Sequence, residues 1–328
     1  MNNKSLPLGS LGVVKMNSIS TEIKELLAVQ KEEWELAAKN FASLANVQVH
    51  EFRFNGFTVK VQFNPGRIIS SAAKVDKKSI KARPCFLCEE NRPKEQKCLT
   101  FGDYSVLVNP YPIFPEHFTL PTYLHVPQRI KGNFNHMLEL AQAMEGFVLF
   151  YNGPKCGASA PDHFHFQTGN AGFMPIDEEI ETLKEKYGRK RSIKGAEVWA
   201  VQDGLRNFIV LESEYKIALN DTFDKIYREM EKMSDSREEP MMNILTLFKA
   251  GRWRTLIFPR ALHRPLQYFE DGKKNILLSP ASVDMGGVLI TPLEKDFKKI
   301  TKEDIKDIYR QVLLSNDRFD DLIKKIKD

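Results

Sequence analysis

The sequence predicts an α+β protein of mainly antiparallel sheets with flanking helices. Three observations lead to that class. Strand-like segments come in neighbouring pairs, as in 47–54 with 57–63 and 241–248 with 253–259. Helical segments stand between groups of strands and do not alternate with them one for one. Each half of the chain also runs through a rough order of strand, helix, strand, strand, which predicts two tandem halves. The expected division is a flexible lead-in at 1–19, a first half at 20–200 with an N-terminal helix and a hairpin, and a second half at 201–328.

The helix expected at 20–44 rests on Ile23, Leu26, Leu27, Trp34 and Phe41, which recur at helical spacing with charges between them. The hairpin that follows turns at Asn55-Gly56, a pair suited to a two-residue type I′ turn. Its second strand alternates, with Phe57, Val59, Val61 and Phe63 on one face. Asn64-Pro65-Gly66 ends that strand, and the basic residues 67–83 are expected to form an exposed loop. Strands follow at 104–108 and 117–121, then a helix over 133–146 and a short apolar strand at 147–151. The next strand is expected at 163–168. Beyond it the pattern predicts a strand near 205–212, a helix near 221–233, strands near 241–248, 253–259 and 285–291, and a C-terminal helix near 302–326.

A chain of 328 residues, 42% of them hydrophobic, can bury a substantial core. Its net charge is +5, from 48 basic and 43 acidic residues. That mild excess favours a phosphorylated small molecule and does not argue for nucleic acid. No apolar run approaches the roughly 18 residues of a membrane span, and residues 1–16 lack a signal-peptide pattern. The cysteines, two of them in C-x-x-C, do not make a secreted disulfide framework. A cytoplasmic protein, away from membranes, is expected.

The most informative segment is His163-Phe164-His165-Phe166-Gln167. In a strand, side chains alternate between faces, so two imidazoles and an amide would share one face at about 7 Å intervals. Phe164 and Phe166 would turn to a core. From the residues alone, this row is either a reactive site or the polar face of an antiparallel sheet. The preceding loop, 152–162, is rich in small residues. Its backbone N–H groups, Gly157 included, can approach phosphate oxygens closely, and Lys155 and Ser159 could add side-chain donors. An ordinary turn-rich connection is the competing reading.

Cys85-Phe86-Leu87-Cys88 has metal-knuckle spacing, with two core thiols or a redox pair as the alternatives. It sits in a loop beside Arg83 and Pro84, not at a strand-to-helix turn, which argues against redox use. Tetrahedral zinc would need two further ligands. Cys98 and Cys156 have no evident partners and are expected as buried small hydrophobes. Arg252, Arg254, Arg260, His263 and Arg264 form a basic cluster, readable as a phosphate-recognition surface or a solvated face.

H-x-H-x-Q after a G-x-S segment resembles one branch of the histidine-triad superfamily. That branch includes galactose-1-phosphate uridylyltransferase, diadenosine tetraphosphate phosphorylase and GDP-L-galactose phosphorylase. There, glutamine replaces the last histidine, whereas the hydrolase branch usually keeps it. Residues 121–130, ending Pro127-Gln128-Arg129-Ile130, resemble a stretch of GDP-L-galactose phosphorylase. So do Phe63-Asn64-Pro65-Gly66-Arg67, Met242-Asn243-Ile244-Leu245 and Ile257-Phe258-Pro259-Arg260. The resemblance covers residues 57–292, with its specific motifs mainly within 85–168. Asp162 is an extra residue relative to the uridylyltransferases and diadenosine phosphorylases; GDP-L-galactose phosphorylase has comparable spacing.

The resemblance implies two tandem histidine-triad-like halves, the first one catalytic. It implies His165 as nucleophile, Gln167 holding the transferred phosphoryl group, and Asn152 and Ser159 contacting phosphates. Gly157, Lys155 and Arg260 join the expected phosphate-binding set. It also implies a closed, structural zinc site on Cys85, Cys88, His125 and His163, with His117 competing for the place of His125. The expected enzyme is a uridylyl-, guanylyl- or adenylyltransferase or phosphorylase with ping-pong kinetics. Its donor would be an NDP-sugar or dinucleoside polyphosphate, its acceptor phosphate or a sugar phosphate, and it would pair as a homodimer. A hydrolase of the same superfamily is the first alternative, disfavoured by Gln167. A zinc-stabilised, non-catalytic nucleotide-binding module is the second.

Overall fold

The computed structural model describes residues 18–68, 76–234 and 238–326. The expected lead-in lies outside them up to residue 17, as does 69–75 of the expected basic loop.

The N-terminal helix is broken in two, α1 (Ile19–Glu33) and α2 (Glu35–Ser43). Trp34 between them takes an extended backbone and is buried. The break lets its ring leave the helix face and enter the core. The hairpin is β1 (Gln48–Arg53) and β2 (Thr58–Phe63), in the expected register. Its turn is not type I′. Gly56 alone has positive φ, at +92°, and type I′ needs two such residues. A short helix, α3 (Lys77–Lys81), follows.

Ten strands then build one antiparallel sheet. They are β3 (Cys98–Phe101), β4 (Tyr104–Val108), β5 (His117–Pro121), β6 (Phe147–Asn152), β7 (His165–Asn170), β8 (Gly188–Ile193), β9 (Ala196–Gln202), β10 (Asn207–Ser213), β11 (Met242–Lys249) and β12 (Arg252–Pro259). Their spatial order is β3-β4-β5-β7-β6-β11-β12-β10-β9-β8. The order from β8 inward repeats the order from β3 inward, and β6 pairs with β11 at the centre. A helix joins the third and fourth strand of each set: α4 (Phe134–Ala143) in the first and α6 (Lys216–Lys232) in the second. Both pack on one face, where Phe134 stacks on Phe223 at 3.9 Å. The expected tandem halves are therefore visible as a repeat of strand order. Residue 200, where the sequence reading divides them, lies inside β9.

The opposite face is covered by α5 (Pro175–Tyr187) and by a small sheet in which β2 pairs antiparallel with β1 and parallel with β13 (Val288–Thr291). A short helix, α7 (Ser282–Met285), precedes β13, and α8 (Glu294–Lys299) follows it. The single C-terminal helix expected at 302–326 is two, α9 (Lys302–Val312) and α10 (Asn316–Lys325). Ser315 starts the second by accepting a hydrogen bond from Arg318 N, a cap that a continuous helix would not need. No helix among the described residues is long and apolar enough to cross a membrane.

The hairpin β8–β9 had no counterpart in the sequence reading. Five of six residues in β8 are partly or fully exposed, and only Ile193 is buried. An edge strand of this kind carries little hydrophobic periodicity. Cys98 also departs from expectation: it is exposed on the other edge strand, β3, while Cys156 is fully buried as expected.

Candidate active site and metal centre

β7 begins at His165, so His163 lies just before the strand and not in its row. The reason is a turn. His163 N donates to Ala160 O, Phe164 N donates to Val126 O, and the chain straightens only afterwards. The two histidines therefore serve different places. His163 Nε2 donates to Thr122 O at 2.8 Å, which leaves Nδ1 facing Cys85 Sγ and Cys88 Sγ at 3.4 and 3.5 Å. His165 and Gln167 remain on the strand and line a cavity of about 620 Å³. Phe164 and Phe166 turn to the core as expected.

His165 is held closely. Its Nδ1 donates to His163 O at 2.8 Å, leaving Nε2 for the cavity. Burial lowers its pKa to about 4, so the ring is neutral at pH 7. Gln128 grips the backbone around it, accepting from His165 N and donating to His165 O and Asn152 O at 2.8–3.0 Å.

Two amides line the same cavity as this imidazole, and each is oriented by its oxygen. Gln167 Oε1 accepts from His117 Nε2 at 3.1 Å and Asn109 Nδ2 at 3.3 Å. His117 can donate there because its Nδ1 accepts from Ile113 N. Burial and the Arg67 charge push the His117 pKa down to about 3, so it stays neutral. Asn152 Oδ1 accepts from Asn243 Nδ2 at 2.9 Å and Ser282 N at 2.8 Å. With both oxygens occupied inside the protein, both NH₂ groups are left for the cavity.

Gly157 and Ser159 also line the cavity. Gly157 has φ +95°, and an added Cβ would stand 2.5 Å from that of Ala281. The loop 153–159 and the segment before α7 therefore meet in backbone contact that only glycine allows. Lys155 points elsewhere and pairs with Glu238 on the surface.

Arg260 is a correction. It is buried and commits all five N–H groups to protein oxygens: Nε to Val312 O, Nη1 to Asn243 Oδ1 and Pro280 O, and Nη2 to Leu262 O and His263 O. No donor remains for a phosphate. The expected basic cluster is likewise divided. Arg252 and Arg254 pair with Glu197, Glu212 and Glu181, whereas His263 and Arg264 line the cavity. Burial and the neighbouring cations lower the His263 pKa to about 4.

Cys85, Cys88, His125 and His163 present ligand atoms that all lie within 4.8 Å of one another, a group that could hold a metal ion. His125 Nδ1 stands 3.1 Å from Cys88 Sγ. His117 is not part of the group; it lies beneath Gln167, bonded to its Oε1. Asp162, the extra residue, has a use here. One carboxylate oxygen approaches His125 Nε2 at 3.6 Å and the other approaches Arg83 at 3.4 Å. A carboxylate behind a ligand histidine is a common orienting device.

Sequence reasoning missed Asn109, Asn243 and Ser282 as parts of the site, and it left Gln128 and Arg67 without roles. Gln128, Asn243 and Arg67 lie in stretches that carry the family resemblance, which was the available signal. Arg67 Nη1 donates to Tyr111 O, and its side chain lines the cavity.

Comparisons with known proteins agree with this architecture. The chain resembles the galactose-1-phosphate uridylyltransferase-like branch of the histidine-triad superfamily. Residues 194–328 match the family described as GDPGP1-like, C-terminal domain, and residues 26–170 match a domain of unknown function, DUF4922. The crystal structure of yeast Ap4A phosphorylase Apa2 shares 17% identity and a TM-score of 0.51, over 86% of this chain and 94% of that one. Its complex with AMP gives 17% identity and 0.54, over 89% and 96%. At that identity the likeness is one of fold. A DUF4931 family protein from Bacillus cereus also matches, at 17% identity and a TM-score of 0.36, over 57% of this chain and 94% of that one. No curated protein sequence matches the chain.

Proposed function

We propose that the cavity binds a nucleotide donor and that His165 takes the nucleotidyl group onto Nε2. One observation carries the reading. A neutral imidazole, anchored through Nδ1, shares one cavity with two amides whose oxygens are already bonded inside the protein. The GDPGP1-like C-terminal match and the Ap4A phosphorylase fold support a nucleotide phosphorylase or transferase type of enzyme.

The donor is an NDP-sugar or a dinucleoside polyphosphate. The Nε2 lone pair attacks the α-phosphorus, and the bond to the leaving phosphate oxygen breaks with its electron pair. A phosphoramidate results, and the ring's positive charge is eased by the Nδ1–H bond to His163 O. An oxygen of inorganic phosphate or a sugar phosphate then attacks the same phosphorus, the P–N bond breaks, and neutral His165 returns. Splitting one transfer into two steps in this way is nucleophilic catalysis. The amides of Gln167 and Asn152 donate to phosphoryl oxygens as charge develops. Gln167 has no proton to give a leaving group, which favours transfer over hydrolysis.

The four-residue metal group fits zinc. Tetrahedral bonds of about 2.3 Å to sulfur and 2.0–2.1 Å to nitrogen place sulfur and nitrogen about 3.5 Å apart. The Sγ to Nδ1 distances given above are 3.1–3.5 Å. When bound, zinc would supply a closed structural anchor. His163, as ligand, would fix the carbonyl that orients His165.

The test is intact mass of the metal-replete protein after mixing with a panel of NDP-sugars and dinucleotides without acceptor. A gain of one nucleoside monophosphate, absent in His165→Ala, supports the reading and names the base. Released monophosphate without an adduct points to hydrolysis. Neither product from any donor overturns the reading in favour of a binding module.

A further inference from the structure

A buried arginine with no carboxylate bonded to it is costly, because its charge has left water. Arg260 is buried and bonds only to neutral oxygens; the carboxylate of buried Asp284 acts on its charge without a direct hydrogen bond. What it holds gives that charge a use. Nη1 donates to Asn243 Oδ1. Asn243 lies opposite Asn152 where β11 meets β6, the seam between the two sets of strands. Its Nδ2 donates to Asn152 Oδ1 at 2.9 Å and to Cys156 O at 2.8 Å, the carbonyl just before Gly157. Nη2 meanwhile holds the carbonyls of Leu262 and His263, and the His263 ring lines the cavity.

We propose that Arg260 is a positioning residue that acts through Asn243, setting the Asn152 amide toward the transferred phosphate and seating the His263 loop against the same cavity. The proposal rests on the phosphate-binding reading of Asn152. The chain runs guanidinium, Asn243 amide, Asn152 amide, phosphate, and each hydrogen bond polarises the next. Asn243 cannot reverse without facing its N–H groups to the arginine and its oxygen to Asn152 Oδ1. Together with Ser282 N, which donates to the same Oδ1, Asn243 holds Asn152 with its nitrogen outward. The second half of the chain, lacking a histidine row of its own, would thus set the geometry of the first half's site.

The variants are Asn243→Asp, Arg260→Lys and the double. Asn243→Asp keeps the shape and the acceptor for Arg260 but removes the donor to Asn152. The readouts are thermal stability, titration with inorganic phosphate, and the Asn152 side-chain amide resonances, assigned by their loss in Asn152→Asp. The expected result is a shifted Asn152 resonance and phosphate affinity lower by about tenfold or more in each single variant. The double variant is expected to lose about as much as the worse single, because both break one chain. Single variants that melt earlier yet bind phosphate within about twofold of wild type overturn the proposal and leave Arg260 a structural residue. Losses that multiply in the double also overturn it. A wild-type protein with no phosphate response counts against the phosphate-binding reading instead. The relay is then judged on the Asn152 resonance, and an unchanged signal in Asn243→Asp overturns it.

Discussion

The two sets of strands share an order but treat the same face of the sheet differently. On the first set, β7 and β6 present His165, Gln167 and Asn152 to an open cavity. On the second set, β10 and β12 carry Glu212 and Arg254 as register partners, and α5 closes over them with Glu181 and Lys184. Lys184 and Glu212 are both nearly solvent-free and 2.8 Å apart, and Lys184 also sits over the Trp199 ring. The first set keeps its part of the face open, with amide donors toward the cavity, and the second fills its part with carboxylates and cations that pair with each other. Charged residues alone therefore do not mark a site here. What marks it is a donor that the protein itself leaves unused.

That contrast can be broken or sharpened by experiment. The largest effect belongs to the open face. His165→Ala should remove the nucleotidyl adduct and lower turnover by at least about 10⁴-fold, read by intact mass and steady-state rate. Gln167→Glu replaces a donor with an acceptor beside a phosphoryl oxygen and should cost roughly 10²–10³-fold in kcat. A rate loss under about threefold would remove Gln167 from the chemistry.

Disturbing the metal centre should cost stability first. Cys85→Ser, or chelation of the purified protein, should lower unfolding free energy by about 3 kcal/mol or more in a denaturant titration, with loss of adduct following loss of fold. On the closed face, Glu212→Gln leaves Lys184 and Arg254 short of their shared partner. About 2–3 kcal/mol of stability should go, while the adduct rate of the folded protein stays within about twofold. A rate loss as large as that of Gln167→Glu would erase the distinction between the faces. The smallest effect expected is that of pH. Burial keeps His165 neutral down to about 4, so the adduct rate should be flat from pH 8 to 5.5 and fall only as pH drops through about 4. A rate already halved at pH 6.5 would mean that the ring titrates at its ordinary value.

Much of this was legible in the sequence because it is written in local spacing. H-x-H-x-Q put His165 and Gln167 on one face of a strand, with the phenylalanines behind. C-x-x-C gave two thiols by spacing, and the family resemblance, not spacing, supplied His125 and His163, the other two residues of the group that the fold gathers. Asn55-Gly56 located the hairpin turn but not its type, which depends on the φ of two residues and not on their identity alone.

Only the tertiary structure decided which donors are free. Arg260 reads in sequence as a phosphate ligand, but oxygens from Asn243, Pro280, Leu262, His263 and Val312 consume it. His163 leaves the strand because Ala160 O and Val126 O hold the chain in a turn before it. Cys98 is exposed because its strand ends the sheet, a fact no neighbour in sequence reports. Residue type and spacing state what a side chain can donate. Whether it still has that donor to give depends on partners brought from far along the chain, and burial determines how strongly each is held.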